Sequence, residues 1–183
     1  MVDQRTLSTI HRPGQRLFFA LWPDAGLSRE INRLGEEVQG HGGRLHHPAD
    51  LHMTLVFLGP VDPEQLPCIE QVADEILAES FGLSLDRIDY WPRPRILLLG
   101  SSETPEPLAA LVKGLQAGLV ECGFRPEKRP FRPHVTLARK ARQVAASTLE
   151  QPLSWRPHEF VLAGSSMEAE PPRYRILKRW PLG

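Results

Sequence analysis

The chain has 183 residues, with 22 Lys plus Arg against 22 Asp plus Glu, so its formal net charge is zero. That length suits one domain or two small lobes, and 41% hydrophobic with 24% charged residues excludes global disorder, a collagen-like chain and a long coiled coil. No apolar run approaches the ~18 residues of a membrane-spanning helix.

The first 15 residues, MVDQRTLSTIHRPGQ, carry no apolar stretch of the kind a secretory signal needs. They read as a flexible extension, and the expected location is cytoplasmic. Arg16-Leu-Phe-Phe-Ala-Leu21 is a buried strand closed by Trp22-Pro23. Asp24 can cap a helix over 24–39, whose Leu27, Ile31, Leu34 and Val38 form one stripe, ended by Gly40, Gly42 and Gly43. Leu51 to Leu58 is strand-like. Asp62-Pro63 opens a second helix with Leu66, Ile69, Val72, Ala73, Ile76 and Leu77 on its apolar face. Phe81 to Tyr90 alternates as a strand. The order then begins again: a strand at Arg95 to Gly100, a helix over 106–121, a strand at Phe131 to Leu137 and a shorter helix near 141–149. Strands at His158 to Ala163 and Tyr174 to Trp180 complete the chain.

The second half echoes the first at a near-constant offset. Arg16 to Arg95 is 79 positions, His52 to His134 is 82, and Phe81 to Phe160 is 79. We therefore expect an α+β fold of two pseudo-symmetric α/β lobes, with antiparallel or mixed sheets around a central cleft. Residues 16–183 form one bilobal domain. Repeat one covers about 16–90, repeat two about 95–168, and a strand at about 173–180 closes one lobe. Cys68 and Cys122 stand in no paired motif and read as reduced thiols.

Both repeats contain the word His-x-Thr-Leu, as His52-Met-Thr54-Leu and His134-Val-Thr136-Leu. Side chains on a strand alternate, so each word presents an imidazole and a hydroxyl on one face and apolar groups on the other. Two such strands across a cleft suit in-line displacement at phosphorus. One neutral imidazole takes a proton from water, and one protonated imidazole gives a proton to the leaving oxygen. Thr hydroxyls can hold the phosphate in line. Such a site needs neither metal nor cofactor.

These words, with Arg16-Leu-Phe-Phe-Ala-Leu and Phe131-Arg-Pro-His-Val-Thr-Leu-Ala-Arg139, resemble the two-histidine phosphoesterases, most closely the bacterial RNA 2′,3′-cyclic phosphodiesterases, also called 2′-5′ RNA ligase-like proteins. The resemblance spans about residues 16–180. It implies metal-independent hydrolysis of RNA 2′,3′-cyclic phosphate ends to 2′-phosphate ends, with reversible 2′-5′ joining of tRNA half-molecules as a secondary activity. It assigns His52 and His134 as the acid–base pair and Thr54, Thr136 and Arg139 to the phosphate. His52 is taken as the acid at O3′ and His134 as the base for water, and the symmetry of the words leaves the reverse order open. Arg139 has the wrong parity to share a face with His134, so a strand end or bulge must re-aim it. Its counterpart in the first repeat is Phe57, which suggests a charged side and an apolar side.

Charge is unevenly spread. Residues 16–90 carry 5 basic and 13 acidic side chains, and residues 91–183 carry 15 and 8. Arg125, Lys128, Arg129, Arg132, Arg139, Lys140 and Arg142 surround the second word, where cations favour an RNA partner. Phe18 or Phe19, Trp22 and Tyr174 are candidates for stacking on a base. Three other readings compete: a metal site drawn from His41, His46, His47 and His52, a non-catalytic RNA- or protein-binding module, and a phosphodiesterase for another small cyclic phosphate or a 2′-5′ oligonucleotide. The expected oligomeric state is a monomer, because the cleft closes within one chain.

Overall fold

A computed structural model describes residues 15–39, 43–165 and 170–183. The expected N-terminal extension, the helix-ending Gly40 and Gly42, and His41 fall outside the described residues, apart from Gln15.

Two antiparallel sheets organise the chain. Strand β1 (Arg16–Leu21) is followed by helix α1 (Ala25–Gln39), the two-residue strand β2 (Arg44–Leu45) and strand β3 (Met53–Pro60). Helix α2 (Leu66–Asp74), strands β4 (Leu83–Trp91) and β5 (Ile96–Gly100), and helix α3 (Glu106–Gly118) come next. Strands β6 (His134–Arg139), β7 (Ser147–Trp155), β8 (Glu159–Ser165) and β9 (Tyr174–Pro181) complete it. The first sheet runs β3-β1-β8-β9 and the second β2-β6-β5-β4-β7.

The paired words occupy matching places. β3 pairs with β1, and β6 pairs with β5, all antiparallel. The third strands are exchanged: β4, from repeat one, pairs with β5 in the second sheet, and β8, from repeat two, pairs with β1 in the first. Repeat and lobe therefore do not coincide. Alternation along β4 required only one buried face, and the apolar run of β8, buried on both faces, names no sheet either. The last strand, β9, pairs with β8 at the edge of the first sheet.

Local chemistry sets the ends of the elements. Asp24 caps α1 through its Oδ1, which accepts from Leu27 N–H at 2.9 Å. Asp62 begins the second helical segment with a capping box, its partner Gln65 returning a bond to the Asp62 N–H at 3.1 Å. A short 3₁₀ turn, Pro63–Gln65, leads into α2. That helix stops at Asp74, so Leu77, expected on its buried face, lies beyond it and is 98% exposed. The helix expected near 141–149 is absent. Residues 141–146 carry no helix or strand, and 147–155 form edge strand β7, whose pairing with β4 takes up Ser147 and Thr148 where the helix was expected to continue.

One continuous core holds Leu17, Phe19 and Leu21 of β1, Met53 and Leu55 of β3, Leu97 and Leu99 of β5, and Val135 and Leu137 of β6. The helices cover this side. α1 lies under the second sheet, its Gly35 backbone set where a Cβ would meet a Leu45 methyl at 3.3 Å and Leu137 Cβ at 3.6 Å. α2 and α3 pack together so closely that a Cβ on Gly118 would lie 2.6 Å from Val72. Lys178 of β9 bonds Glu70 and Asp74 of α2, and the Trp180 indole N–H donates to Asp74. The expectation of free thiols is overturned: Cys68 of α2 and Cys122, just after α3, form a disulfide. Two cysteines 54 positions apart give no pairing signal in a sequence; packing of α2 on α3 brings them together.

Candidate active site

The opposite face of the first sheet is lined by Phe18, Ala20, Val161 and Ala163, with Trp22, Tyr174 and Ile176 packed on them. His52, just before β3, projects among these groups. Phe18 and Trp22 lie nearly parallel to its ring at 4.8 and 5.1 Å, and Tyr174 meets it edge-on at 5.0 Å. His134 has a sparser setting, with Trp91 at 4.8 Å.

Each imidazole is oriented in the same way. Nδ1–H of His52 donates to the Asp50 carbonyl at 2.7 Å, and Nδ1–H of His134 donates to the Arg132 carbonyl at 2.7 Å. A carbonyl only accepts, so Nδ1 holds the proton in the neutral ring and Nε2 carries the free lone pair. Both rings thus offer Nε2 for proton transfer. The loop before β3 is anchored in turn by Asp50, which is 2% exposed and accepts at Oδ1 from the backbone N–H of Arg173 and Tyr174 at 2.7 and 3.2 Å.

The threonines sit two residues on, half-buried on the same faces as the histidines. After each threonine the ladder slips by one. Ala20 pairs with Thr54 and Phe19 with Val56, leaving Leu55 as the extra residue. Leu98 pairs with Thr136 and Leu97 with Ala138, leaving Leu137 as its counterpart. The second bulge answers the parity problem at Arg139: Leu137 and Ala138 are both buried in succession, and the exposed Arg139 changes face.

Electrostatics favour neutral imidazoles in the free protein. Burial holds His52 down to about 4, opposed by its backbone hydrogen bond and reinforced by Arg139 and His134. Burial also lowers His134, against its bond to the Arg132 carbonyl. Arg139 and His134 both disfavour the charged form of the His52 ring. His46, which contributed only to the metal-site reading of the sequence, is held in the same way. Burial, Arg139, His52 and Arg173 hold it down to about 4. The Nδ1 of His47, beside His46, accepts from Ala49 N–H. Among the described residues no group of three or more His, Cys, Asp or Glu side chains is placed to hold a metal.

Arg139 and Phe57, the counterparts in the two words, have different surroundings. A cavity of about 390 Å³ contains Arg139, with Arg44, Lys140 and Arg173 around it. Phe57, the counterpart of Arg139, is 63% exposed beside a cavity of about 240 Å³ bounded by Phe124, Arg125 and Pro126. Of the stacking candidates, Phe19 is in the core against Phe160 and Trp180. Phe18, Trp22 and Tyr174 enclose His52. Trp91, Asp50 and Arg173 were not among the expected site residues. Trp91 ends a strand whose sheet was unknown, and the other two act through backbone atoms or a distant loop.

A family model for the 2′-5′ RNA ligase superfamily matches residues 23–166, and the chain belongs to that superfamily. It is 35% identical over 172 residues to the RNA 2′,3′-cyclic phosphodiesterase of Escherichia coli, covering 92% of this chain and 97% of that one. It is 29% identical over 184 residues to the protein of the same name from Thermus thermophilus, covering 91% and 90%. Among solved structures, E. coli LigT complexed with 3′-AMP superposes with a TM-score of 0.84 at 34% identity, covering 92% of this chain and 98% of that chain. The two-lobed fold agrees with these relatives. No helix among the described residues is long and apolar enough to cross a membrane.

Proposed function

We propose that this protein hydrolyses RNA 2′,3′-cyclic phosphate ends to 2′-phosphomonoester ends by acid–base catalysis between His52 and His134. The observation that carries the reading is the matched pair of imidazoles, each with Nδ1 fixed by a carbonyl and Nε2 free. Binding alone requires no such arrangement. The names of the E. coli and T. thermophilus relatives support the substrate.

In this mechanism the cyclic phosphate lies between the two rings. Arg139 holds a non-bridging oxygen, and the Thr54 and Thr136 hydroxyls donate to the others. His134 Nε2 takes a proton from the attacking water. The P–O3′ bond breaks and His52 Nε2–H protonates O3′, leaving phosphate on O2′. The substrate's negative charge offsets Arg139 and draws the required proton onto the pair. A 5′-hydroxyl in place of water would join two RNA ends through a 2′-5′ bond, tRNA half-molecules among them. The chain acts as a monomer in the cytoplasm, where such RNA ends occur.

The deciding experiment is incubation with an oligoribonucleotide ending in a 2′,3′-cyclic phosphate, with the product isomer identified. A 2′-phosphate is expected. A 3′-phosphate would reverse the assignment of the broken bond, and an unchanged substrate would reject the enzyme reading.

A further inference from the structure

The catalytic pair and one arginine suffice for a single phosphate, yet the structure assembles more positive charge than that. Arg44, Lys140 and Arg173 stand with Arg139 around the 390 Å³ cavity next to His46 and Tyr174. None of the four makes an ion pair among the described residues. Asp50 also borders the cavity, but its Oδ1 is committed to two backbone N–H groups and it is almost wholly buried. Four cations against the single carboxylate of Asp50 leave the cavity wall with a net positive charge, and an anion that enters offsets it.

The cations come from three separated segments. Arg44 and Arg139 face each other across the β2–β6 ladder. Arg173 enters on the turn before β9. Lys140 is held at φ +52°, a left-handed conformation rare for a residue with a long side chain, directly after the bulged strand. The cavity also has apolar surface from Leu45, Pro171 and the Tyr174 ring. A flat base can lie there while phosphates meet the rim. The volume is in the range of a small-ligand site, and the shape of the chemistry is one nucleotide.

We propose that this cavity is the subsite for the penultimate nucleotide of an RNA strand whose terminal cyclic phosphate lies between His52 and His134. Arg44, Lys140 and Arg173 bind the internucleotide phosphates, and Leu45, Pro171 and Tyr174 receive the base. The protein is then a reader of chain ends rather than of free cyclic mononucleotides. This rests on the hydrolytic reading above.

The test compares kcat/KM for a cyclic mononucleotide with that for a trinucleotide bearing the same end, in the wild type and in Arg44→Gln, Lys140→Gln and Arg173→Gln. Glutamine keeps the Arg173 backbone N–H that Asp50 uses, so the scaffold is preserved. The wild type should prefer the trinucleotide by about tenfold or more, roughly one charge-assisted contact in the transition state. Each single variant should cut that preference, and Arg44→Gln/Arg173→Gln should bring it to about threefold or below. Added salt should erode the wild-type preference more than that of the double variant. Equal rates on both substrates in the wild type, or variants that lose both in proportion, would overturn the subsite. Equilibrium binding separates the two proposals. Wild type that binds a dinucleotide 2′-phosphate about tenfold more tightly than a mononucleotide 2′-phosphate, yet turns over neither cyclic substrate, keeps the subsite and rejects hydrolysis. Turnover of both substrates without length preference does the reverse.

Discussion

Replacing Asp50 tests how the His52 side of the site is held together. The carboxylate is 2% exposed, and its Oδ1 accepts from Arg173 N–H at 2.7 Å and Tyr174 N–H at 3.2 Å. Asp50→Ala removes the oxygen that accepts both bonds and leaves two amides poorly solvated. A hydrogen bond to a charged group contributes about 1.5–3 kcal/mol net, and the longer of these two falls at or below the low end. The expected loss is therefore about 3–4 kcal/mol, a large part of the ~5–15 kcal/mol that holds a domain folded. Asp50→Asn keeps an oxygen in place and should cost only about 1 kcal/mol. Catalysis should respond through position. The same residue's carbonyl fixes His52 Nδ1, and the Tyr174 ring lies 5.0 Å from the imidazole. Loosening both should lower kcat by about tenfold to a hundredfold with a smaller change in KM. Urea unfolding gives the stability, and steady-state turnover of the cyclic-phosphate oligonucleotide gives the kinetic split. If Asp50→Ala unfolds within about 1 kcal/mol of the wild type, or if Asn is as damaging as Ala, the reasoning fails.

His52→Ala and His134→Ala should each cut kcat by about a hundredfold or more while RNA binding persists in a filter or fluorescence assay, and full turnover by either would remove the acid–base assignment. Stability should fall on acidification between about pH 6.5 and 4. His52 and His46 are held down to about 4 in the fold, whereas an unfolded His takes a proton near 6.5, so the unfolded chain gains protons first; each ring contributes at most about 3 kcal/mol that is present above 6.5 and lost on the way down. Urea midpoints at pH 7.5 and 4.5 check this, and His46→Gln should flatten the slope. Opening the Cys68–Cys122 bridge, by reductant or by Cys68→Ser, should destabilise the fold by up to about 4 kcal/mol, from a closed loop of sequence separation 54. Reduced and oxidised protein with the same thermal midpoint would refute that. Excess chelator should leave turnover unchanged, and a large loss would show a metal in the mechanism.

The chemistry of the site was legible where it depends on period and spacing. Two His-x-Thr words on strands put an imidazole and a hydroxyl on one face, and the parity of Arg139 demanded a bulge, which the ladder has at Leu137. What surrounds the words was less legible. Phe18, Trp22 and Tyr174 enclose His52 because β1 and β9 share one sheet with β3, and pairing order is not written in local pattern. For the same reason the exchanged β4 and β8 were assigned to their own repeats. β7 was misread because an edge strand buries little, so Ser147 to Trp155 shows only a weak alternation. His46 was visible only as one of four clustered histidines. Its setting depends on Arg139, which is far along the chain and is brought alongside by β2, where Arg44 pairs with Arg139 across 95 positions.

The strand exchange governs how this molecule can move. A clamshell enzyme closes about a hinge where few chain segments pass from one half to the other. Here the backbone passes between the sheets from β1 to β2, β2 to β3, β3 to β4 and β7 to β8. Parting the two repeats would break β4 from β5 and β8 from β1, and parting the two sheets would strain all four crossings. The Cys68–Cys122 bridge ties α2 to the end of α3 behind them. A swing of one lobe would have to strain all of these ties at once, so the topology argues against gating of the cleft by lobe closure.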